Sequence, residues 1–526
     1  MNLAENKVLK YLFFISLFVF VIGLSCVINF PDNDLWARLI AGGYIVENLS
    51  VAKYDFLSYT PTHPWYDHEW GASIFFYLAL KYFGHSGLIF LKGLLVALTL
   101  FVCYKIVELR KPISTIPYNI LYYVVMFIVL NRTIGGTVRC LLFTCLFFVI
   151  FMYILERARQ DKNKGLILLP ILMVLWSNIH GGCASGLGLI GFYLVGEFLN
   201  KKTFMKYFYT LIACLGALFI NPYGIEYVKF LFSAATMDRY YISEWASPFH
   251  LNYITEYIRA KIYLFVMFFV VILWHIKNKL SYSKMDKTRI IIFLAMTYLA
   301  VTHIRHLSFY IIAVGTLFYD EFYELFNSII SKLGKLLKID SESAKSLVLL
   351  KEISVYLLIF ISSLPLLLDA NKQVRITESR YPRYAIEFID INKLHGNLFI
   401  NFDWGSYAAY KLYPNNLIVM DGRYEEVYDP ALLLQLKDFH LVKNDWYKII
   451  RDYKTDVMLL EKKYPVFNEI LKMKEWTLVF ENELSGVFVP TDTVKKEYLY
   501  PIPLDDFYNK NLFNTKIKYK ELKSGN

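Results

Sequence analysis

Apolar residues are grouped in blocks of about 15 to 20 positions over the first 368 residues, and short polar segments separate the blocks. The first block, residues 11–30, follows Lys7 and Lys10. A helix of about 20 apolar residues is long enough to cross the hydrocarbon core of a bilayer. Its length, and the lack of a small-residue cleavage site behind it, favour a retained membrane helix over a signal peptide.

Ten more apolar blocks follow the first, at 87–105, 113–130, 140–155, 166–179, 184–199, 207–220, 261–276, 290–302, 307–324 and 352–368. The pattern predicts an α-helical polytopic membrane protein with about 11 transmembrane helices. Lysine and arginine collect in alternate gaps, most densely at 277–289 and 332–351. Because basic loops stay in the cytoplasm, this places the N-terminus inside and the C-terminal region outside.

The region after the last block loses the long apolar runs and alternates short elements. Residues 397–402, 416–420 and 456–460 are typical of buried strands, 404–412 of a helix, and 476–480 with 486–490 of a hairpin. We therefore predict a transmembrane domain at 1–368, an extracytoplasmic α/β domain at 369–494 and a polar C-terminal tail at 495–526. The stretch 31–86 forms the first extracytoplasmic loop and holds two helices that lie on the membrane surface.

Composition excludes several classes of protein. Only 19% of residues are charged against 56% hydrophobic, and the mean hydropathy is +0.39, whereas soluble proteins carry about a quarter charged residues. The net charge of +11 lies mostly in the short loops and has no RNA- or DNA-binding motif beside it, so no nucleic-acid partner is expected. The six cysteines form no C-x-x-C pair, which disfavours a zinc or redox site.

Ionisable residues avoid the middle of the predicted helices and collect at their outer ends. A transporter places such residues near the bilayer midplane, so this distribution disfavours transport. It indicates an active site at the extracytoplasmic face, with candidates in six outer segments: Asp32, Asp34, His68, Glu69, Arg132, Arg139, Asn178, His180, Glu244, His303, Arg305 and His306. Each alone has an ordinary structural alternative, such as a helix cap, an interfacial histidine or an arginine that reaches the lipid head groups.

The first outer loop opens with two carboxylates, Asp32 and Asp34, on either side of Asn33. Two nearby carboxylates either bind a divalent cation such as Mg²⁺ or Mn²⁺ through oxygen ligands, or supply a general base. Farther along the loop, His68 and Glu69 add a second pair of ionisable groups.

These motifs resemble the first loop of the GT-C superfamily of membrane glycosyltransferases, in particular the aminoarabinose and protein-mannose transferases. The resemblance rests on Asp32-x-Asp34-x-Trp36, Gly42-Gly43, Pro64-Trp65, His68-Glu69-Trp70 and Phe83-Gly84. It implies a polyprenyl-phosphate sugar as donor and a catalytic aspartate at the position of Asp34 or Asp32. Those transferases have an Asp-Glu pair where this chain has Asp-Asn-Asp, so metal dependence and the identity of the base stay open.

The chain is also similar, over nearly its whole length, to a group of bacterial polytopic membrane proteins of unknown activity. The shared residues are Asn178-Ile179-His180-Gly181-Gly182, Asn221-Pro222-Tyr223-Gly224, Glu244-Trp245, Trp404-Gly405 and Asp421-Gly422-Arg423. The high content of Lys, Asn, Tyr and Phe is typical of an AT-rich bacterial genome, and we therefore expect a location in the bacterial cytoplasmic membrane.

The first hypothesis is an enzyme that transfers a sugar from polyprenyl phosphate to a glycan, lipid or protein acceptor of the cell envelope. Asp34 acts as the base and Asp32 supports it or shares a cation, while His68 and Glu69 bind sugar hydroxyls or assist the base. The lipid phosphate is held by cationic side chains, and the remaining candidates line the same cavity. These residues are Arg139, Arg305 and His306 for the phosphate, with Asn178, His180 and Glu244 around them.

The alternative is a non-catalytic membrane scaffold for envelope polysaccharide assembly, in which the acidic loop and the C-terminal domain bind partners. Asp421-Gly422-Arg423 is then part of an interface, although a plain turn after a strand is the favoured interpretation of this tripeptide.

Overall fold

A computed structural model describes residues 7–27, 29–110, 117–131, 133, 136–160, 162–237, 239, 242–279, 285–336, 343–368 and 373–501. The chain divides into two compact units. The helical unit comprises Met1–Ile28, Ile89–Gly224 and Ala235–Lys372, and the mixed unit comprises Asn29–Leu88, Ile225–Ala234 and Gln373–Asn526. The mixed unit thus joins the first predicted outer loop and the C-terminal region.

Fourteen helices precede the C-terminal region within the described residues. They are α1 (Lys7–Val27), α2 (Leu35–Asn48), α3 (Trp70–Arg110), α4 (Pro117–Leu130), α5 (Leu141–Arg159), α6 (Leu168–Ile179), α7 (Ala184–Leu199), α8 (Met205–Ala217), α9 (Ile225–Thr236), α10 (Ile258–Lys277), α11 (Lys287–Thr302), α12 (Leu307–Leu317), α13 (Tyr319–Leu336) and α14 (Ser343–Leu368). Two-residue strands β1 (Phe30–Pro31) and β2 (Thr137–Val138) lie between them.

The protein is a multi-pass membrane protein. Five described helical segments are long and apolar enough to cross a bilayer: Val8–Val27, Trp70–Arg110, Leu141–Arg159, Gly181–Leu199 and Ile258–Lys277. Four shorter apolar helical segments accompany them at Ile120–Leu130, Asn163–Ile179, Ile304–Leu317 and Ile353–Leu368. The figure of about 11 spans stays a prediction.

Two predicted boundaries change in the structure. The helix that begins at Trp70 continues to Arg110 but bends at Gly84, whose φ of 59° suits glycine far better than other residues. The block at 307–324 is not one helix, because α12 ends at Leu317 and the amphipathic α13 begins at Tyr319.

The mixed unit is built on a five-stranded sheet. Its strands are β3 (Gly396–Ile400), β4 (Asn416–Ile418), β5 (Val457–Glu461), β6 (Trp476–Glu481) and β7 (Ser485–Pro490), in the order β4-β3-β5-β7-β6. β3 pairs in parallel with β4 and β5, and the β6–β7 hairpin adds antiparallel strands at the far edge. The strands predicted from their continuous apolar runs are present within two residues of the expected limits, as is the helix between the first two.

Six helices accompany the sheet: α15 (Arg383–Ile391), α16 (Phe402–Leu412), α17 (Tyr424–Val427), α18 (Pro430–Leu441), α19 (Lys448–Asp452) and α20 (Val466–Lys472). The outer loop adds α2, which packs against α16. The Trp36 indole of α2 is fully buried against the rings of Tyr407 and Tyr410, with centroids 4.9 and 5.5 Å away. Helix α2 also packs closely against α3, since a Cβ on Gly42 would lie 2.1 Å from the Ser73 carbonyl oxygen.

The outer loop also extends the sheet itself. The Tyr59 amide donates to the Ile418 carbonyl at 3.1 Å, and the Ile418 amide donates to the Leu57 carbonyl at 2.9 Å. The Thr60 hydroxyl donates to the Val419 carbonyl at 2.7 Å. These backbone bonds cover the edge of β4, which an exposed strand would otherwise leave open to other chains.

In the helical unit, one arginine joins three helix ends. Arg159 at the end of α5 contacts Glu156 at 3.3 Å, Glu197 of α7 at 3.0 Å and Asp286 at 2.7 Å. Glu156 and Glu197 are buried. Removing the guanidinium that contacts all three carboxylates leaves buried negative charge with less compensation, which is strongly destabilising.

We predict that Arg159→Met lowers the free energy of unfolding by about 3–5 kcal/mol. The matched control is Lys162→Met, because Lys162 is exposed and follows the same helix; its effect should stay within about 0.5 kcal/mol. Unfolding of the purified proteins in detergent, followed by tryptophan fluorescence, measures both. Equal stability of the two variants would contradict the prediction.

Candidate functional site

The first outer loop opens with Asp32 and Asp34, and this opening segment is called the acidic loop below. It lies at the carboxyl ends of two parallel strands of the mixed unit, β3 and β4. Asp34 is the last residue before α2, and a Cβ on Gly422, just beyond β4, would lie 2.1 Å from Asp34 Oδ1. The Asn33 side-chain amide donates to Asp403 Oδ1 at 3.3 Å, and Asp403 lies in the first turn of α16, three residues past the end of β3. Asp32 Oδ1 accepts the Asn33 backbone N–H at 3.1 Å.

This position follows a general property of α/β sheets. Ligands bind outside the carboxyl ends of parallel strands, where the connections leave in opposite directions. Here the chain leaves β3 for β4 on one side and later returns to β5 on the other. Asp34, beside Gly422, and Asn33, beside Asp403, therefore lie at the carboxyl ends of β4 and β3, the edge of the sheet at which such folds bind ligands.

The mixed unit also contains a cluster of buried charged side chains, centred on Arg38 of α2. The Arg38 guanidinium of α2 contacts Asp67, Glu69 at 3.2 Å and Glu426 at 2.9 Å. All four side chains are buried. The indole of Trp65 donates to the second oxygen of Glu426. Arginine can serve three carboxylates because its planar group presents five N–H donors.

His68 belongs to this charge cluster. Its Nδ1 lies 3.1 Å from Glu426 Oε1, and its Nε2 lies 3.8 Å from Glu69. Burial alone would lower the pKa of His68, but the hydrogen bond and charge of Glu426 outweigh it and raise the pKa to about 9. Burial raises the pKa of Asp67 to about 6, against the opposing charge of Arg38. At neutral pH, His68 is thus a second cation in the cluster.

In the helical unit, Arg139 and Glu244 form a two-pronged ion pair. The two Arg139 nitrogens donate to the two Glu244 oxygens at 2.6 and 3.0 Å. Burial would raise the pKa of Glu244, but the bonds from Arg139 and the charge of Arg305 lower it to about 2. Glu244 is therefore ionised at any physiological pH and acts as an anchor for Arg139.

Trp245, the next residue, contacts two further arginines. The guanidinium carbons of Arg239 and Arg305 each lie 4.5 Å from the indole centroid. The rings of His303 and His306 pack edge-on against the same indole, at 5.4 and 5.9 Å. Four of the predicted site residues of this unit, Arg139, Glu244, Arg305 and His306, thus converge on one turn, Ser243–Trp245.

His180 and Asn178 hold local structure. His180 Nδ1 accepts the Gly182 backbone N–H at 2.9 Å and lies 2.7 Å from the Thr144 hydroxyl. A Cβ on Gly182 would lie 2.4 Å from that hydroxyl oxygen, so glycine is needed for the approach. The Asn178 amide donates to the carbonyls of Val174 and Ile220 at 2.7 and 2.8 Å. Both side chains fix the turns at the ends of α6 and α8, and their place in a cavity stays a prediction.

Comparison with solved structures finds two matches with archaeal proteins. The oligosaccharyltransferase of Archaeoglobus fulgidus in the apo form gives a TM-score of 0.55 at 9% identity, over 88% of this chain and 70% of that one. AglB from the same organism, in complex with an inhibitory peptide and a dolichol-phosphate, gives 0.55 at 11% identity, over 87% and 70%.

The chain therefore shares the fold of these two archaeal proteins, which is GT-C-like. ArnT from Cupriavidus metallidurans bound to undecaprenyl phosphate gives a TM-score of 0.48 at 10% identity, over 90% of this chain and 97% of that one, and is too distant to add to the assignment. No protein-family model and no curated protein matches the sequence significantly.

Sequence reasoning missed several residues that the structure brings to the candidate sites. Arg38, Asp67 and Glu426 complete the buried cluster, and Arg239 joins Arg305 on the indole. The one local signal was Arg38 itself, a charged residue on a stretch of α2 that is otherwise apolar. Arg132, a candidate from the sequence, lies outside the described residues.

Among the described residues, two groups of side chains offer metal ligands. Donor atoms of His68, Glu69 and Glu426 lie within 4.8 Å of one another. This group fits a cation poorly, because Arg38 and the protonated His68 already supply its positive charge, and a metal needs the neutral imidazole. Asp32 and Asp34 offer only carboxylate oxygens, the ligands that Mg²⁺ and Mn²⁺ prefer.

We predict that His68 makes the stability of the protein fall above neutral pH. Its pKa is about 9 in the folded protein and about 6.5 when unfolded, so its contribution is complete below pH 6.5 and is lost as the pH rises to 9. The loss amounts to about 3 kcal/mol. Asp67, whose pKa is about 6, is already mostly ionised at pH 6.5, so its titration adds little to the change in stability above that pH.

The measurement is unfolding in detergent at pH 6.5 and 9.5 for wild type, His68→Gln and His63→Gln. His63 is exposed, so its variant should keep the wild-type pH dependence, whereas His68→Gln should be less stable at pH 6.5 and nearly independent of pH. A wild-type slope in His68→Gln would show that another group titrates.

Proposed function

We propose that the protein is a glycosyltransferase that moves a sugar from a polyprenyl-phosphate donor to an acceptor of the cell envelope. The GT-C fold supports this proposal, and AglB, which shares the fold, has been solved with a dolichol-phosphate. The acceptor is a glycan, lipid or protein that carries a nucleophilic group. The reaction takes place at the extracytoplasmic face of a bacterial cytoplasmic membrane, with the N-terminus of the chain in the cytoplasm.

The observation that carries the proposal is the group of three arginines around Glu244-Trp245. Arg139 is held by Glu244, and the guanidinium groups of Arg239 and Arg305 stack on the indole of Trp245. Stacking fixes the plane of a guanidinium while its edge N–H groups can still donate to an anion. Preorganised cationic donors of this kind stabilise a phosphate that gains charge as it leaves.

The transfer step uses Asp34 as general base. Asp34 takes the proton of an acceptor hydroxyl, whose oxygen attacks the anomeric carbon of the sugar. The bond from that carbon to the donor phosphate breaks, and its electron pair stays on polyprenyl phosphate. Arg305 and Arg239 stabilise the resulting charge, and His306 packs beside them. Asp32, His68 and Glu69 support the loop and the sugar.

A divalent cation, Mg²⁺ or Mn²⁺, fits Asp32 and Asp34 by ligand type. When bound there, it would supply positive charge beside the sugar-phosphate bond. Between them, Asn33 donates its backbone N–H to Asp32 and its side-chain amide to Asp403. The proposed division of the chain places this loop, 31–86, within a transmembrane domain at 1–368 that precedes an extracytoplasmic domain at 369–494.

We predict that Asp34→Asn lowers the rate of donor turnover by about 10²–10⁴-fold, the usual effect of removing a general base. Purified protein, reconstituted with labelled polyprenyl-phosphate sugars and an envelope extract as acceptor, is assayed for release of polyprenyl phosphate. Asp492→Asn is the matched control, since Asp492 is exposed at the end of the sheet. If Asp34→Asn turns over the donor as fast as wild type, Asp34 is not the general base. If folded wild-type protein shows no turnover, the non-catalytic scaffold is favoured.

We predict that Arg305→Gln weakens binding of polyprenyl phosphate by about 10- to 100-fold, because hydrogen bonds to charged groups contribute about 1.5–3 kcal/mol. The measurement is inhibition of turnover by added polyprenyl phosphate. Arg157→Gln is the control, because Arg157 is exposed and also lies near a ring, that of Tyr153 at 5.7 Å. If polyprenyl phosphate inhibits Arg305→Gln and Arg157→Gln equally well, Arg305 does not bind the phosphate.

A further inference from the structure

We propose that the turn Asp421–Gly422–Arg423, at the end of β4, positions the carboxylate of Asp34 for proton abstraction. The turn acts through Asp34 and is a positioning element. This inference rests on the proposed function and adds to it a contribution from the C-terminal sheet to the catalytic geometry.

The first observation is the close approach of Asp34 to Gly422. A Cβ on Gly422 would lie 2.1 Å from Asp34 Oδ1 and 3.3 Å from its Cγ. No real side chain fits at the shorter distance, so the carboxylate rests directly against the glycine backbone. Gly422 thus limits where Oδ1 can lie and which way the carboxylate plane can face.

The second observation is the buried ion pairing that fixes the turn. Arg423 Nε lies 3.0 Å from both oxygens of Asp421, and its Nη1 lies 2.6 Å from Asp55 Oδ1. Arg423 and Asp421 are both about fully buried, at 1% and 0% exposure. The guanidinium also stacks on Trp65, 4.7 Å from the ring centroid. Buried ion pairs therefore fix the conformation of this tripeptide, which the sequence predicts to be a plain turn.

Helix α16 supports the turn from the other side. A Cβ on Gly405 would lie 2.1 Å from the Met420 carbonyl oxygen, so the helix touches the backbone just before the turn. The Ser406 hydroxyl donates to Asp421 Oδ2 at 3.1 Å. With ion pairs on one side and a helix on the other, the backbone at Gly422 has little freedom to yield to a larger side chain.

The rigid backbone at Gly422 gives the Asp34 carboxylate a defined position and, being uncharged, adds no charge next to it. Precise placement matters because a shift of about 1 Å in a reacting group can cost about 10²-fold in rate. The turn should therefore influence the rate of the chemical step and leave donor binding largely unchanged.

The test is Gly422→Ala in the full-length reconstituted protein, with Gly216→Ala as control, since a Cβ on Gly216 meets no atom within 4 Å. We expect kcat to fall about 100-fold with KM for the donor within about twofold, whereas Gly216→Ala keeps wild-type kcat. The pH at which the acid limb of the kcat profile falls should also shift, which a purely structural role would not produce.

Folding is checked by tryptophan fluorescence and size-exclusion chromatography. If Gly422→Ala does not fold, Asp421→Asn is assayed in its place, because it loosens the ion pairs without added volume, and kcat should fall at least several-fold. Unchanged kcat and pH profile in the folded variant would overturn the positioning role while leaving the transferase intact. Absence of turnover in wild type would overturn the proposed function and this inference together.

Discussion

The buried guanidinium of Arg38 is the constraint on which the mixed unit depends. Moving a charge out of water costs several kcal/mol unless oppositely charged partners replace the lost hydration. Arg38 obtains them from Asp67 and Glu69 in the outer loop and from Glu426 beyond the sheet. Because Arg38, the Asp67–Glu69 pair and Glu426 lie in three separate parts of the sequence, the ion pairs form only when α2, the loop and the sheet have assembled correctly.

The same arrangement explains why the acidic loop is well defined. Helix α2 is held by Arg38 and by the burial of Trp36, so its first residue is fixed, and Asp34 directly precedes it. The neighbouring ion pairs of Arg423 fix the backbone at Gly422, which contacts Asp34 from the opposite side. A short polar loop, which alone would be mobile, thus lies between two elements that buried charges hold in place.

Local patterns in the sequence predicted the helices and strands, because burial on one or both sides leaves a readable run of apolar residues. The parallel strands at Gly396–Ile400 and Val457–Glu461 are examples. The partners of Arg38 and Arg423 left no such signal, since an ion pair between distant residues has no sequence period. For the same reason Asp421-Gly422-Arg423 was interpreted as a plain turn, and the role of His180 in fixing Gly182 was missed.

The distance along the chain between Arg38 and Glu426 has a consequence for biosynthesis. The two residues are 388 positions apart, and ribosomes add about 5–20 residues per second. The outer loop therefore emerges roughly 20–80 s before the carboxylate that completes its ion pairs. During that interval the loop lacks the Glu426 carboxylate, so synthesis of the C-terminal region, not of the loop itself, sets the time at which the ion pairs of Arg38 are completed.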